Sequence, residues 1–162
     1  MKIGLISDTH SYLDQSVFEY FKDCDEIWHA GDIGDISVLE KLESFKPTKA
    51  VFGNIDDHRV RAATKEHLHW ECEGLRVYMT HIGGKPGVYS KPALEQLQLH
   101  SPGLMICGHS HICLVKYDER RKMLFMNPGA AGQHGFHKVK TILRFHVFAS
   151  KLSDLEVIEL RG

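Results

Sequence analysis

The feature that most constrains this chain is a set of five short apolar runs, each followed at once by side chains able to bind a metal ion. Runs of this length, bounded by glycine or polar residues, predict buried β-strands. In open α/β sheets, ligands bind beyond the carboxyl ends of the strands. The sequence therefore predicts that these side chains meet at one edge of a sheet. The runs and the residues after them are 3–7 with Asp8 and His10, 27–30 with Asp32, 50–52 with Asn54, 77–80 with His81, and 104–107 with His109 and His111.

Amphipathic segments between these runs predict helices. Apolar residues at helical spacing mark residues 13–21 and 36–45, and Pro92 suits the first turn of a helix that carries Leu94 and Leu97. The last third differs, because residues 113–117 and 123–126 have the pattern of a hairpin and alternating strands follow from 141 to 160. This order predicts an α/β (α+β) fold with an antiparallel portion. A length of 162 residues predicts a single domain over residues 1–162.

Composition excludes several classes of protein. The net charge of −1 gives no strong nucleic-acid signal, since such a surface would be basic. No apolar run approaches the roughly 20 residues of a membrane helix, so no membrane association is expected. The four cysteines form no C-x-x-C pair and lie mostly in apolar segments, as free thiols do in a reducing compartment. The short apolar run at residues 3–6 is not a signal peptide core. We therefore expect a cytoplasmic protein.

The predicted site combines two carboxylates, one carboxamide and four imidazoles. Oxygen and imidazole ligands without thiolate suit Mn²⁺, Fe, Zn²⁺, Co²⁺ or Ni²⁺. Seven ligands exceed the four of a structural zinc site, so two ions are expected, with the Asp32 carboxylate as the bridge. Two divalent ions offset by Asp8 and Asp32 leave a charge of about +2, which favours an anionic phosphoryl group. Each motif alone is common by chance, and it is their conjunction that argues against a purely structural role.

These motifs resemble, in order, the signature of the calcineurin-like metallophosphoesterases, and most closely that of their small single-domain bacterial and archaeal phosphodiesterases. The motifs are Asp8-Thr9-His10, Gly31-Asp32, Gly53-Asn54, His81, Gly108-His109-Ser110-His111 and the closing turn Asn127-Pro128-Gly129. The resemblance implies a four-layer αββα sandwich with a dinuclear site at the carboxyl ends of its strands.

The same resemblance implies how the ligands divide between the ions. It assigns Asp8, His10, Asp32 and His111 to the first metal, and Asp32, Asn54, His81 and His109 to the second. Manganese is the commonest activating ion in similar proteins, and other divalent metals also serve. The implied reaction is in-line attack on phosphorus by a hydroxide that bridges the metals, without a covalent enzyme intermediate. Asp32, Asn54 and His81 are the implied catalytic residues.

Two departures from the family pattern bear on catalysis. Ile55 stands where many members have a histidine that serves as general acid, and Ile82 replaces the glycine of an H-G-H motif, so that Gly83 stands in place of its second imidazole. General acid–base assistance is typically worth about 10²–10⁴-fold. We expect its loss to slow poor leaving groups most. His58, His134 and His137 are the candidate replacements and substrate-binding residues, with exposed loop histidines as the alternative.

Several further residues fit either a structural role or a role at the site. Asp35 suits a helix N-cap, whereas Asp56 fits a turn residue and a partner of the metal ligands equally well. His29 lies in an apolar strand and is expected to be an interior or rim residue. The glycine-rich segment 81–87 could bring Lys85 or Tyr89 to a substrate, or it could be a flexible surface loop.

The function expected from the sequence is that of a metal-dependent phosphodiesterase acting on a small phosphodiester. Two alternatives remain open at this point. One is a non-catalytic interaction scaffold, because a retromer subunit of similar fold also has an apolar residue at the position of Ile55. The other is a phosphomonoesterase or pyrophosphatase that uses the same site. The sequence leaves the oligomeric state open, a homo-oligomer included.

Overall fold

Two five-stranded sheets lie face to face in the computed structural model, which describes residues 1–161. The strand order is β12-β11-β1-β2-β3 in the first sheet and β4-β5-β8-β10-β9 in the second, and β6 and β7 form a separate hairpin. The strands are β1 (Lys2–Ile6), β2 (Glu26–His29), β3 (Thr48–Ala50), β4 (His67–Cys72), β5 (Leu75–Thr80), β6 (Gly84–Lys85), β7 (Val88–Tyr89), β8 (Leu104–Ile106), β9 (Cys113–Asp118), β10 (Met123–Pro128), β11 (Lys140–Phe148) and β12 (Lys151–Leu160). The helices are α1 (Ser16–Tyr20), α2 (Ile36–Phe45), α3 (His58–Ala63) and α4 (Lys91–His100).

The central strands of each sheet are parallel. In the first sheet β1, β2 and β3 run in one direction, and in the second β5, β8 and β10 do the same. Antiparallel strands flank both sets: β11 and β12 in the first sheet, and β4 and β9 in the second. The predicted α/β core with an antiparallel portion is therefore confirmed. The parallel strands carry the residues singled out above at their carboxyl ends.

Alternation along β1 shows how the layers are built. Ile3 and Leu5 point between the sheets, where Trp28 packs edge-on against Trp70 with ring centroids 4.8 Å apart. Ile6 faces the other way and packs beneath α1, α2 and α3. Helix α4 covers the outer face of the second sheet. The resulting order of helices, sheet, sheet and helix confirms the four-layer sandwich implied by the resemblance.

Most predicted elements form, with shifts at some of their ends. Helix α2 spans residues 36–45 as predicted, and the Asp35 side chain caps it by accepting from the Ser37 N–H. The helix predicted over residues 13–21 is shorter, because Asp14 accepts from the Ser16 N–H and delays its start. The strand predicted over 50–52 is wrong by two residues: β3 ends at Ala50, which pairs with the last residue of β2.

The longest helices, α2 and α4, have ten residues each. Within residues 1–161 no helix is therefore both long and apolar enough to cross a membrane.

Candidate metal centre

The loops that follow the parallel strands turn sharply and expose ligand-type side chains to a shared space. Asp8, His10, Asp32, His109 and His111 all have left-handed backbone conformations, with φ between 45° and 71°. Aspartate and histidine are among the non-glycine residues that tolerate this region best, although it is strained for any of them. Strain at five positions of one site indicates that the surrounding structure holds these side chains in a required orientation.

The converging side chains form two adjoining groups. Asp8, His10 and His111 make the first, in which His111 Nε2 lies 3.1 Å from Asp8 Oδ1. Asp32, His81 and His109 make the second, in which His81 Nε2 lies 3.2 Å from Asp32 Oδ2.

The two groups are in direct contact. His10 Nε2 lies 3.4 Å from Asp32 Oδ2, and His81 Nε2 lies 3.8 Å from Asp8 Oδ1. Asp32 thus faces one imidazole from each group, which is the position expected of a bridging carboxylate.

Three atoms at the middle of this arrangement lack hydrogen bonds. Asp8 Oδ1, His10 Nε2 and His81 Nε2 are buried and have no hydrogen-bond partner. A buried polar atom without a partner is costly, and native proteins rarely tolerate one. Here the unpartnered atoms are a carboxylate oxygen and two imidazole nitrogens that face one another, so a divalent cation would satisfy them together. The donor set therefore fits a metal.

Backbone and hydroxyl groups orient the ligand atoms. His81 Nδ1 lies 2.7 Å from the Ala30 carbonyl, which can only accept, so Nδ1 carries the proton and the Nε2 lone pair faces the centre. Asp8 Oδ2 accepts from Ser7 Oγ and from the His109 N–H, while Oδ1 stays directed inward. Asp32 Oδ1 accepts from the Ile55 N–H.

Proton equilibria at the centre favour charged groups. Burial opposes ionisation of Asp8, but the nearby imidazoles of His10 and His111 outweigh it and hold the pKa of Asp8 well below its usual range. Burial likewise opposes protonation of His81, yet the negative charges of the nearby Asp32 and Asp8 carboxylates raise its pKa. The pKa of His111 is raised by the Asp8 carboxylate, which lies 3.1 Å from its Nε2. The metal-free centre therefore holds protons where a cation would bind.

Because protons and metal ions compete for the same ligand atoms, the metal affinity should fall at low pH. His81 and His111 are protonated below their raised pKa values, and each must lose its proton to ligate an ion. Metal binding should release these protons, so the apparent affinity for Mn²⁺ should fall by up to about tenfold per pH unit for each proton released below those values. Calorimetric titration in buffers of different ionisation enthalpy measures the proton count. Binding without proton release at pH 6 would contradict this assignment.

The other expected site residues take different positions. Asn54 borders a cavity of about 530 Å³ above the centre, as do His134 and His137. The His134 ring lies 4.8 Å from the ring of His10, and His137 Nε2 donates to the Gly132 carbonyl over 2.8 Å. Because a carbonyl only accepts, this nitrogen carries a proton.

His58 does not line this cavity. It is the exposed first residue of α3, directly after the Asp57 cap. The structure does not bring His58 to the cavity, and its contact with a substrate stays a prediction.

Three buried residues, His29, Asp56 and Asn127, hold the loops of the centre together. The sequence motifs alone did not indicate these roles. His29 is fully buried and connects Thr9 Oγ1 to the Gly31 N–H, and burial lowers its pKa to about 3, so the ring is neutral. It is an interior residue, as expected. Thr9 Oγ1 in turn donates to the Ile33 carbonyl. This chain of hydrogen bonds joins the loop of Asp8 and His10 to the loop of Asp32.

Asp56 and Asn127 play comparable parts. The Asp56 carboxylate accepts the N–H groups of Ile33, Gly34 and Gly53, which belong to two different loops. Asn127 Nδ2 donates to the Gly108 carbonyl and to Ser110 Oγ, and so fixes the loop that carries His109 and His111. The nearness of Asp56 to Asn54 in sequence was the only signal of its role.

The fold and the site together define a class of protein. Two stacked sheets that present carboxylates and imidazoles at the carboxyl ends of parallel strands are the framework of a metal-binding hydrolase. The sequence profile of the calcineurin-like phosphoesterase superfamily domain matches residues 1–150, and the chain belongs to this family. The resemblance seen in the sequence is thereby confirmed.

Individual relatives agree with this assignment. A probable metallophosphoesterase of Methanothermobacter thermautotrophicus is 34% identical over 139 residues, which cover 80% of this chain and 77% of the relative. An archaeal phosphodiesterase has a similar structure, with a TM-score of 0.78 at 22% identity, covering 99% of this chain and all of that one. Vps29 of Chaetomium thermophilum has a TM-score of 0.80 at 18% identity, covering 99% of this chain and 88% of that one. These two structures support the fold alone.

Proposed function

We propose that this protein is a metal-dependent phosphodiesterase that hydrolyses a small phosphodiester. The observation that carries the proposal is the inward-facing set of buried, unpartnered ligand atoms, Asp8 Oδ1, His10 Nε2 and His81 Nε2, next to Asp32. A merely structural cluster would satisfy these atoms with hydrogen bonds. Further support comes from the 34% identity to a probable metallophosphoesterase of Methanothermobacter thermautotrophicus.

In this proposal two divalent ions bind at the centre. Asp8, His10, Asp32 and His111 would hold the first ion, and Asp32, Asn54, His81 and His109 would hold the second. Manganese is the ion proposed for both positions, with Zn²⁺, Fe, Co²⁺ and Ni²⁺ as ions that suit the same ligands. Such ions, when bound, acidify water and neutralise the developing charge on a phosphoryl group.

The chain's own residues have separable tasks in this proposal. The Asp32 carboxylate balances the charge of both ions, and its Oδ1 stays anchored by the Ile55 N–H. The Ala30 carbonyl keeps the proton of His81 on Nδ1, so that Nε2 remains a ligand. His134 and His137 border the cavity above the centre, where His134 can donate a hydrogen bond to a phosphoryl oxygen.

The test is hydrolysis of bis(p-nitrophenyl) phosphate by purified, chelator-treated protein with and without added Mn²⁺. We expect turnover only with the metal, together with close to two ions bound per chain. A parallel assay with p-nitrophenyl phosphate and pyrophosphate separates a phosphodiesterase from the two related activities. Two bound ions with no hydrolysis of any of these compounds would overturn the proposed function.

A scaffold function is the second candidate, and one surface feature favours it. Three apolar side chains, Ile55, Ile112 and Phe136, border the metal cavity and are 46%, 65% and 105% exposed. A partner protein could cover such a rim. For a scaffold we expect full metal occupancy without turnover, and so the hydrolysis assay also decides between these two candidates.

Restoring an imidazole at position 55 should increase activity on difficult substrates. Ile55 is exposed at the edge of the cavity, and an alkoxide leaving group needs a proton more than an aryl oxide does. We expect Ile55→His to raise kcat on a dialkyl phosphate, whose leaving groups are both alkoxides, by about tenfold or more. On bis(p-nitrophenyl) phosphate the change should be less than about threefold. Ile55→Gln is the matched control, since it is polar but cannot act as a general acid.

Equal effects of Ile55→His on alkyl and aryl diesters would remove the argument that a general acid is missing.

A further inference from the structure

A second cavity lies directly beside the metal centre. It has a volume of about 490 Å³, which is within the roughly 300–1,000 Å³ of small-molecule sites. His109 and Ser110 line both this cavity and the one above the centre. A molecule whose phosphoryl group lies at the centre can therefore extend one substituent past these two residues into the second cavity.

The walls of this second cavity are mostly apolar. Leu114, Phe125, Ile112 and Val88 contribute hydrocarbon surface, and Lys85 contributes the one cation. No carboxylate is found among the described residues that line it. The cavity therefore suits an apolar group, and Lys85 adds a donor for an oxygen on that group.

The cavity is built into the fold, because its hairpin wall of β6 and β7 is held on both sides. Gly83 lies so close to β8 that an added Cβ would collide with the side chains of Cys107 and Met105. The Gly83 carbonyl accepts from the Ser90 N–H at the start of α4. Tyr89 donates its hydroxyl proton to Asp118 on β9 and does not line the cavity, whereas Lys85 does.

We infer that this second cavity binds an aromatic ring carried on an ester oxygen of the substrate. The inference rests on the proposed function and narrows its substrate class to phosphodiesters with an aryl or nucleobase-bearing substituent. A flat ring fits a space bounded by leucine, isoleucine and phenylalanine side chains, and it gains by leaving water. A short alkyl substituent would leave most of the same surface exposed.

The test compares two non-hydrolysable probes that differ only in the group placed in the cavity. Calorimetry with Mn²⁺-loaded protein gives the dissociation constants of benzylphosphonate, whose CH₂ group takes the place of the ester oxygen, and methylphosphonate. Both present the same phosphonate to the centre. We expect benzylphosphonate to bind about tenfold or more tightly than methylphosphonate, because the ring buries apolar surface that a methyl group cannot reach.

Two variants and one control test whether the preference for the ring arises in the second cavity. Leu114→Gln should reduce the advantage of the ring to about threefold or less, since a polar group then faces it. Val88→Gln is the second variant; its side chain is 68% exposed, so it should fold even if Leu114→Gln does not. Leu99→Gln is the matched control, on an exposed position of α4 outside the cavity. It should keep the full preference.

Equal binding of the two probes by the unmodified protein, or a preference that survives Leu114→Gln and Val88→Gln, would overturn the inference. If bis(p-nitrophenyl) phosphate is still hydrolysed with Mn²⁺ in that case, the proposed function stands and only the ring site is lost. Absence of that hydrolysis would count against the proposed function itself.

Discussion

Asp32→Asn is expected to lower metal content and hydrolysis together. The substitution keeps the size of the side chain and an oxygen that can accept from the Ile55 N–H, but it removes the negative charge between His10 and His81. Charge stabilisation by bound metals is worth several kcal/mol, so we expect activity to fall by about 10³-fold and at least one ion to be lost on dialysis. Elemental analysis and initial rates measure both effects on one sample.

Asp35→Asn provides the matched control. Asp35 is exposed at the N-terminus of α2, three residues after Asp32, and caps the helix without contacting the centre. Asparagine caps helices about as well as aspartate, so this variant should keep both ions and full activity. Two tightly bound ions in Asp32→Asn would show that this carboxylate is not the bridge.

Asp56→Ala is expected to lower the free energy of unfolding more than any other substitution proposed for this protein. The carboxylate is 4% exposed and accepts three N–H groups at 2.7, 2.8 and 3.2 Å from two loops of the centre. Alanine leaves these donors without partners, and each such donor costs about 1–3 kcal/mol. We expect the free energy of unfolding to fall by about 3–5 kcal/mol in urea denaturation of the metal-free protein. Affinity for Mn²⁺ should also weaken, because Gly53 precedes Asn54 and Ile33 follows Asp32.

The neighbouring Asp57 supplies the comparison. Its exposed carboxylate caps α3 by accepting the N–H groups of Arg59 and Val60. Loss of such a cap typically costs about 1 kcal/mol, and the metal ligands are untouched. Similar losses of stability in Asp56→Ala and Asp57→Ala, with unchanged metal affinity in both, would contradict the role given to Asp56.

The framework of the site could be predicted because it depends on local pattern. Short apolar runs that end in aspartate, asparagine or histidine give both the strands and the residues at their carboxyl ends, and parallel pairing brings those ends together. The order of the motifs along the chain then indicates the family. For the same reason helix α2 could be placed from residue 36 to residue 45, between the Asp35 cap and Pro47.

The supporting contacts could not be predicted in the same way. His29, Asp56 and Asn127 act through hydrogen bonds to residues about 20 positions away, and nothing in their local sequence indicates those partners. The end of β3 at Ala50 depends on where its neighbour β2 ends, rather than on its own apolar residues. The second cavity likewise depends on how the hairpin of β6 and β7 lies against β8.

Anomalous diffraction from a crystal grown with Mn²⁺ tests the central claim most directly. Two manganese peaks are expected, one beside Asp8, His10 and His111 and the other beside Asn54, His81 and His109, with Asp32 in contact with both. A single peak, or two peaks that lie away from these side chains, would contradict the dinuclear centre.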